Sequence, residues 1–408
     1  MDLNSLCELI IDCEHKTAPT QETGYPSIRT PNIGRGWFIL EGVNRVSEET
    51  YRLWTRRAVP RPGDLIMARE APVGNVAIIS PGLQPCLGQR TLLIRPDRNK
   101  VEPSFLNYFL NGPQGQGLIH AKTNGATVAH LNMKDVRTME LPDFPPLPVQ
   151  QRIAGILSAY DELIENSQRR IKILEAMARA LYREWFVHFR FPGHEHHPRV
   201  ASPIGEIPQG WEVKKLGEIA EEMRRNVPKG QLEEPSPFVG LEHIPRRSLA
   251  LDAWESTTDL GSNKLEFKKG EILFGKIRPY FHKVSVAPFD GLCSADTIVI
   301  RSRQPDHYAI VAGCVSSDEF VALATATSNG SKMPRANWRV LEEYLIAIPT
   351  LTVASQFAAV VEPAIQQMQA LIFQIQNLRR TRDLLLPRLL SGQIEVEVAG
   401  DPAFAFRE

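Results

Sequence analysis

A chain of 408 residues, 43% apolar and 8% aromatic, is long enough for roughly two to three globular domains, which excludes a small disulfide scaffold and a disordered tail protein. Its 47 Lys+Arg balance 47 Asp+Glu, so attraction to an acidic polymer by bulk charge is excluded and any nucleic-acid site has to be local. Cys7, Cys13, Cys86, Cys293 and Cys314 form an odd set without metal-ligand spacing, which suggests neither a disulfide framework nor a zinc ribbon. Asp2, Glu8, Asp12 and Glu14 do not make the basic start of a signal peptide, and no run reaches the ~18 apolar residues of a membrane span. A soluble cytoplasmic protein is expected.

In chain order, short runs rich in β-branched residues come first, from Asp64 to Ala68, Val76 to Ile79 and Thr91 to Arg95, between Gly, Pro and Asn punctuation. They predict strands of a mixed α/β globule of about 150 residues, the usual size of one domain. Beyond Pro146 and Pro148 the pattern changes to helix. Ile153, Leu157, Tyr160, Ile164, Ser167, Ile171, Leu174, Ala178, Leu181 and Trp185 alternate by four and three over more than four heptads. Pro192 and Gly193 mark its end. Residues 191–210 then read as an exposed linker, and the His194, Glu195, His196 and His197 run within it as solvated residues rather than a metal site.

The second half repeats the first at an offset near two hundred residues. Leu6-Cys7-Glu8-Leu9 matches Leu216-Gly217-Glu218-Ile219, and Pro62-Gly63-Asp64-Leu65-Ile66 matches Lys269-Gly270-Glu271-Ile272-Leu273. Arg90-Thr91-Leu92-Leu93-Ile94-Arg95 matches Asp296-Thr297-Ile298-Val299-Ile300-Arg301, and Thr123-Asn124-Gly125-Ala126-Thr127 matches Ser328-Asn329-Gly330-Ser331-Lys332, with Asn132 opposite Asn337. Strands are predicted at Thr297 to Arg301 and Tyr344 to Ile348. A second heptad seam follows, at Phe357, Val361, Ala364, Met368, Leu371, Ile375, Leu378, Arg382, Leu385 and Leu389, with Thr352 as its cap and Pro387 and Gly392 at its end. Arg382 alone is out of character in it. Each helix would be ~50 Å long at ~1.5 Å per residue. Such helices overrun a domain of this size, so the two seams are expected to bury against each other, antiparallel, and not as ordinary domain core.

The expected architecture is therefore α/β (α+β), a tandem duplication of two mixed globules with a pair of long antiparallel coiled-coil helices between them. Its boundaries are 1–148 for the first globule, 149–190 for the first spacer helix, 191–210 for the linker and 211–350 for the second globule. The second spacer helix takes 351–391 and a tail takes 392–408. The seam residues assigned to spacer packing are Ile153, Leu157, Tyr160, Ile164, Ile171, Leu174, Leu181, Val361, Met368, Ile375, Leu378 and Leu385.

Catalytic motifs are not found. There is no Walker loop, Gly34-Arg35-Gly36 lacks a dinucleotide-binding context, and Asp143-Phe144-Pro145-Pro146 is a helix entrance without the aromatic of a methyltransferase loop. Asp259, Glu266 and Lys268 read as a charged hairpin rim, and no metal site is assigned. What stands out is basic and aromatic residues in loops. Lys264, Lys268, Lys269, Lys276, Arg278 and Lys283 surround Tyr280, Phe281 and His282, while the first copy offers Arg69, with Arg52, Arg56, Arg57 and Arg61 upstream. A second patch sets Lys332, Arg335, Asn337 and Trp338 against Thr123, Asn124, Thr127, His130 and Asn132, residue types that read base edges. The candidate DNA-binding residues are Arg69, Arg90, Thr123, Asn124, Thr127, His130, Lys276, Arg278, Tyr280, Lys283, Lys332, Arg335 and Asn337.

These features together resemble the specificity subunit of Type I restriction-modification systems. The resemblance rests on Gly210-Trp211-Glu212-Val213-Lys214-Lys215-Leu216-Gly217-Glu218-Ile219, on Leu273-Phe274-Gly275-Lys276-Ile277-Arg278-Pro279-Tyr280-Phe281 and on Ser331-Lys332-Met333-Pro334-Arg335-Ala336-Asn337-Trp338. It also rests on Pro146-Leu147-Pro148-Val149-Gln150-Gln151-Arg152-Ile153 leading to Leu181-Tyr182-Arg183-Glu184-Trp185-Phe186, and on Leu385-Leu386-Pro387-Arg388-Leu389-Leu390-Ser391-Gly392. It implies two target recognition domains on double-stranded DNA, helices that act as a ruler, and no catalysis in this chain. It further implies two methyltransferase (modification) subunits using S-adenosylmethionine on adenine, and restriction/translocase subunits using ATP and Mg. The first copy lacks the Gly-Trp opening and has Arg69-Glu70-Ala71-Pro72 where the second has Lys276-Ile277-Arg278-Pro279, so the two half-sites are expected to differ. The competing readings are a stand-alone DNA-modifying enzyme, for which no cofactor-binding motif is seen, and a coiled-coil interaction scaffold without sequence-specific DNA binding.

Overall fold

The computed structural model describes residues 1–123, 129–230, 232, 234–258, 260–330 and 332–396. The chain divides into two units, Met1–Leu163 with the chain from Leu378 onward, and Ile164–Asn377. In unit 1, β1 (Cys7–Asp12), β2 (Leu65–Ala68), β3 (Val76–Ile78) and β4 (Thr91–Pro96) form an antiparallel sheet in the order β1-β4-β2-β3. Two short helices, α1 (Pro103–Asn111) and α2 (Pro113–Ala121), precede the long α3 (Leu147–Tyr182), which continues into unit 2. In unit 2, β5 (Ala220–Met223), β6 (Ile272–Gly275), β7 (Val284–Val286) and β8 (Thr297–Ser302) repeat the same order as β5-β8-β6-β7. Helices α4 (Tyr308–Val315) and α5 (Asp318–Ala326) follow them, and α6 (Leu351–Leu390) closes the repeat.

Register repeats as well as order. Leu65 faces Ile94 and Ala68 faces Thr91 in the first sheet, as Ile272 faces Ile300 and Gly275 faces Thr297 in the second. The central strands are continuous apolar runs because both sheet faces are covered. Leu65, Met67, Leu92 and Ile94 enter one core with α1, while Ile66, Ala68 and Leu93 enter another. Ahead of each second strand a glycine at positive φ, Gly63 (93°) or Gly270 (86°), makes the turn, and a buried carboxylate follows it. Each carboxylate has a bidentate arginine, but from a different strand. Arg95 of β4 holds Asp64 at 2.9 and 2.8 Å, whereas Arg225 holds Glu271 at 2.8 and 2.5 Å.

The heptad seams are buried. Ile153, Leu157, Ile164, Ile171, Val361, Met368 and Ile375 are buried, and Tyr160, Leu174, Leu181, Leu378 and Leu385 are half-buried. Within unit 1 the start of α3 packs with the end of α6, through Ile153, Leu157, Leu385 and Leu389. Within unit 2 the start of α6 meets the last residue of α3 and the turn after it, where Phe357 lies 6.4 Å from the ring of Tyr182, 4.8 Å from that of Phe186 and 5.6 Å from that of Trp185. Both arrangements are antiparallel.

Three details differ from expectation. The segment 191–210 is not an irregular linker: Arg199–Ser202 and Gly205–Pro208 form a hairpin, and Phe191 is buried against Trp211, 5.3 Å between rings. Its strands are short and mostly exposed, so alternation is too weak a signal there. Thr352 lies inside α6, not ahead of it, and Pro387 lies in its last turns, where the helix continues to Leu390. Among the described residues no single helix is long and apolar enough to cross a membrane. Helices α4 and α5 are apolar because they are core, with Ala309, Ile310, Val311, Phe320 and Ala324 fully buried.

Candidate nucleic-acid interface

Each unit stitches two distant segments together by the same backbone bonds. In unit 1 the Arg69 amide donates to Arg90 O (2.8 Å), the Leu131 amide donates to Arg69 O (3.1 Å), and Glu70 bridges His130. In unit 2 the Lys276 amide donates to Asp296 O (2.8 Å), the Ala336 amide donates to Lys276 O (3.0 Å), and Ile277 bridges Arg335. Both second segments then enter a short helix, Met133–Arg137 behind Asn132 and Trp338–Leu341 behind Asn337. Lys276 and Arg278 of one basic patch and Arg335 of the other, more than fifty positions apart in sequence, thus share one loop platform.

The side chains on the two platforms differ in how free they are. Arg69 is held internally, its Nη1 2.6 Å from Asp12 Oδ2 and its Nε donating to Leu131 O at 2.8 Å. Lys276 is likewise directed inward, donating to Ala295 O at 3.2 Å with Glu222 3.7 Å away. Lys283 donates to the Leu241 carbonyl, and burial with Arg246 nearby pushes its ammonium below the usual lysine range. These three brace the loops. Arg90 is exposed at positive φ (64°) and pairs with Glu70 at 2.9 Å, while Arg335 is exposed and pairs loosely with Asp296 at 3.3 Å. Surface pairs of this kind are worth at most about 1 kcal/mol and open readily to a phosphate. Thr123 caps locally on His120 O at 2.7 Å, and Asn337 accepts from the Arg339 amide at 3.2 Å. His130 is half-buried and Lys332 exposed. Asn124 and Thr127 lie outside the described residues.

Arg278 is the unusual residue. Its backbone is left-handed (φ 51°, ψ 63°), fixed by its amide donating to Pro334 O at 2.8 Å, and its side-chain Nε is buried with no hydrogen-bond partner among the described residues. Leaving a buried donor unmet costs about 1–3 kcal/mol, so the group is poised for an acceptor that the described residues do not supply. Its guanidinium lies 5.9 Å from the Phe281 ring, and that of Arg246 lies 4.1 Å from the same ring. Tyr280, 52% exposed, stands edge-on to Phe281 at 4.9 Å. Arg246, which bridges Lys283, belongs to this cluster and is not among the residues that sequence reasoning picks out. Its only signal there is the Arg246-Arg247 pair after Pro245, remote from the loop in sequence. One cluster of metal-type ligands occurs among the described residues, Asp12, Cys13 and His15, but Asp12 Oδ2 is already taken by Arg69 and by His15 Nε2 at 2.9 Å.

The two units thus share one sheet-and-helix plan, each with exposed cationic loop residues and the second with an exposed aromatic, Tyr280. Residues 3–176 match the family model described as the Type I restriction modification DNA specificity domain. The chain is 26% identical over 371 residues to the MjaIX specificity subunit of Methanocaldococcus jannaschii, covering 88% of this chain and 84% of that one. It is 24% identical over 335 residues to the EcoDI specificity subunit of Escherichia coli, covering 76% and 73%. The crystal structure of a Type I restriction-modification S subunit from M. genitalium shares the fold, with a TM-score of 0.61 over 97% of this chain and 96% of that one at 15% identity. Over residues 3–176 the chain thus carries the DNA specificity domain of Type I restriction-modification systems, and along most of its length it is similar to their specificity subunits. Both of those relatives are named as specificity subunits and not as catalytic ones.

Proposed function

We propose that the two units read two different half-sites of one asymmetric, interrupted DNA target, and that α3 and α6 set the gap between them. The observation that carries this reading is the shared backbone stitching with unlike side chains at matched places: Arg69 against Lys276, Ala71 against Arg278, and His130 against Arg335. One scaffold presenting two chemistries reads two sequences. Arg278, Arg335, Tyr280, Lys332 and Asn337 contact the second half-site, and Arg90, His130, Thr123, Asn124 and Thr127 the first. Arg69, Lys276 and Lys283 hold the loops. Cations on phosphates set register while a few side chains read bases. The recognition domains are residues 1–148 and 211–350, the spacer helices 149–190 and 351–391. The complex, acting in the cytoplasm, adds two modification subunits that methylate adenine with S-adenosylmethionine and restriction subunits that use ATP and Mg.

The test is the complex carrying Arg278→Ala with Arg335→Ala, titrated with salt on DNA and followed by methylation mapping. Affinity for the full target should fall ~10- to 100-fold, since a good base contact is worth ~1–3 kcal/mol. Each arginine that neutralises a phosphate should, once removed, lower the salt slope by ~0.9. Methylation should lose discrimination in the second half-site alone. Unchanged affinity and an unchanged second half-site would overturn the assignment.

A further inference from the structure

Arg382 breaks the apolar seam of α6, and unit 1 explains how it is accommodated. Its Nη1 lies 2.5 Å from Asp161 Oδ1 on α3, and the Tyr108 hydroxyl of α1 donates to Asp161 Oδ2 at 2.5 Å. One carboxylate therefore ties together three elements: the recognition domain's own helix, the first spacer helix and the second. Arg382 is further held by Asp383, Nε and Nη2 to Oδ1 at 3.0 and 2.8 Å. Burial first, and the Asp161 charge second, push the Tyr108 phenol up, so it remains a donor. The side chains of Arg382 and Asp161 are 18% and 38% exposed.

The copy offers the control. The long helices repeat at an offset of 204, which places Ala178 opposite Arg382 and Ile365 opposite Asp161. Helix α2 begins at Pro113 and α5 at Asp318, so Gly313 stands where Tyr108 stands. None of the three polar groups recurs. The feature is thus not a requirement of helix pairing in this fold but an addition to one end of it.

An apolar heptad seam is indifferent to axial register, since a slide that keeps apolar positions facing preserves burial, whereas a charged seam position that must meet one partner favours a single register. We propose that Asp161, Arg382 and Tyr108 form a register lock that makes the gap between half-sites a single value. Arg382 and Asp161 are then positioning residues for DNA specificity although remote from the reading loops. This rests on the ruler reading above. A displacement of one helix along the other by a turn is ~5.4 Å, which exceeds one base-pair step of ~3.4 Å.

The test uses the assembled complex and genome-wide methylation mapping. The wild type should methylate the cognate half-sites at one gap. Arg382→Ala and Asp161→Ala should raise methylation at gaps one base pair longer or shorter, relative to the native gap, by at least ~10-fold, and Arg382→Lys should restore most of the selectivity. Tyr108→Phe, which leaves the ion pair in place, should give a smaller relaxation and serves if the alanine variants assemble poorly. Lower total methylation with unchanged gap selectivity in all variants would overturn the lock. Deleting four residues between Ile164 and Ala178 separates the two ideas. A shifted gap there with no effect of the lock variants removes the lock alone, and an unshifted gap removes the ruler as well.

Discussion

The two ends of the helix pair are built from one plan and held by opposite physics. In unit 1 the helix after the sheet reaches the spacer through a phenol, a carboxylate and a guanidinium; in unit 2 the same place is filled by an aromatic ring lying on a glycine. Tyr182 comes so close to Gly313 that a Cβ there would overlap Tyr182 Cδ2. The ring is buried, stacked on Phe186 at 5.1 Å between centroids, and neighbours Phe357 at 6.4 Å. Burial also raises the neighbouring Cys314 thiol to about 12. Apolar contact supplies stability without direction, and an ion pair with a donating phenol supplies direction with less net stability. The pairing therefore has a greasy end and a keyed end.

The comparison is most easily broken at the greasy end. Gly313→Ala forces a methyl group against a ring that Phe186 and Phe357 keep in place. Overpacking of this kind costs about 1–3 kcal/mol. Thermal unfolding of the complex or of the full chain should move down by several degrees, since each kcal/mol is worth ~2–4 °C in a domain of this size. An unchanged melting temperature would mean that Tyr182 is free to move, and the contrast between the ends would lose half its basis.

At the keyed end the effect should be smaller and of another kind. Asp161→Ala takes the acceptor from the Tyr108 hydroxyl and leaves Arg382 only Asp383 among the described residues. Truncating such a network costs about 1–3 kcal/mol, and solvent access to Asp161, 38% exposed, puts the loss near the lower bound. A melt would register it weakly. Gap selectivity should register it strongly, and that dissociation of the two readouts is what distinguishes a key from a mere brace.

Sequence alone makes the helix pair legible because heptad periodicity is local: every seam position falls within four residues of the next. It also marks Arg382 as out of place but cannot supply the reason, since its partner lies 221 positions away on the antiparallel helix. The loops show the same division. Basic residue types point to the right loops, yet Arg69 and Lys276 are braced by Asp12 and Glu222, carboxylates of the first strand of each sheet, which no spacing rule connects to them. Arg246 escapes notice for the converse reason. It reaches Phe281 across the fold and has no local pattern of its own. The duplication is readable because sheet order and register depend on punctuated apolar runs, whereas the hairpin at Arg199–Ser202 and Gly205–Pro208 buries too little to leave an alternation.

The smallest expected stability effect is also the most informative. Replacing the key by the greasy solution, as Asp161→Ile, Arg382→Ala and Tyr108→Phe together, removes all three polar groups at once and leaves no unpaired charge among them. Exchanging a polar network for apolar residues of suitable volume is often neutral, within about 1 kcal/mol, because the desolvation cost disappears along with the attraction. The triple variant should therefore melt close to the wild type and assemble with its partner subunits. Its methylation map should nonetheless include targets whose half-sites are one base pair closer or farther apart. A stable triple variant confined to the native gap would show that domain anchoring alone fixes the register, and that the asymmetry between the two ends has no part in reading DNA.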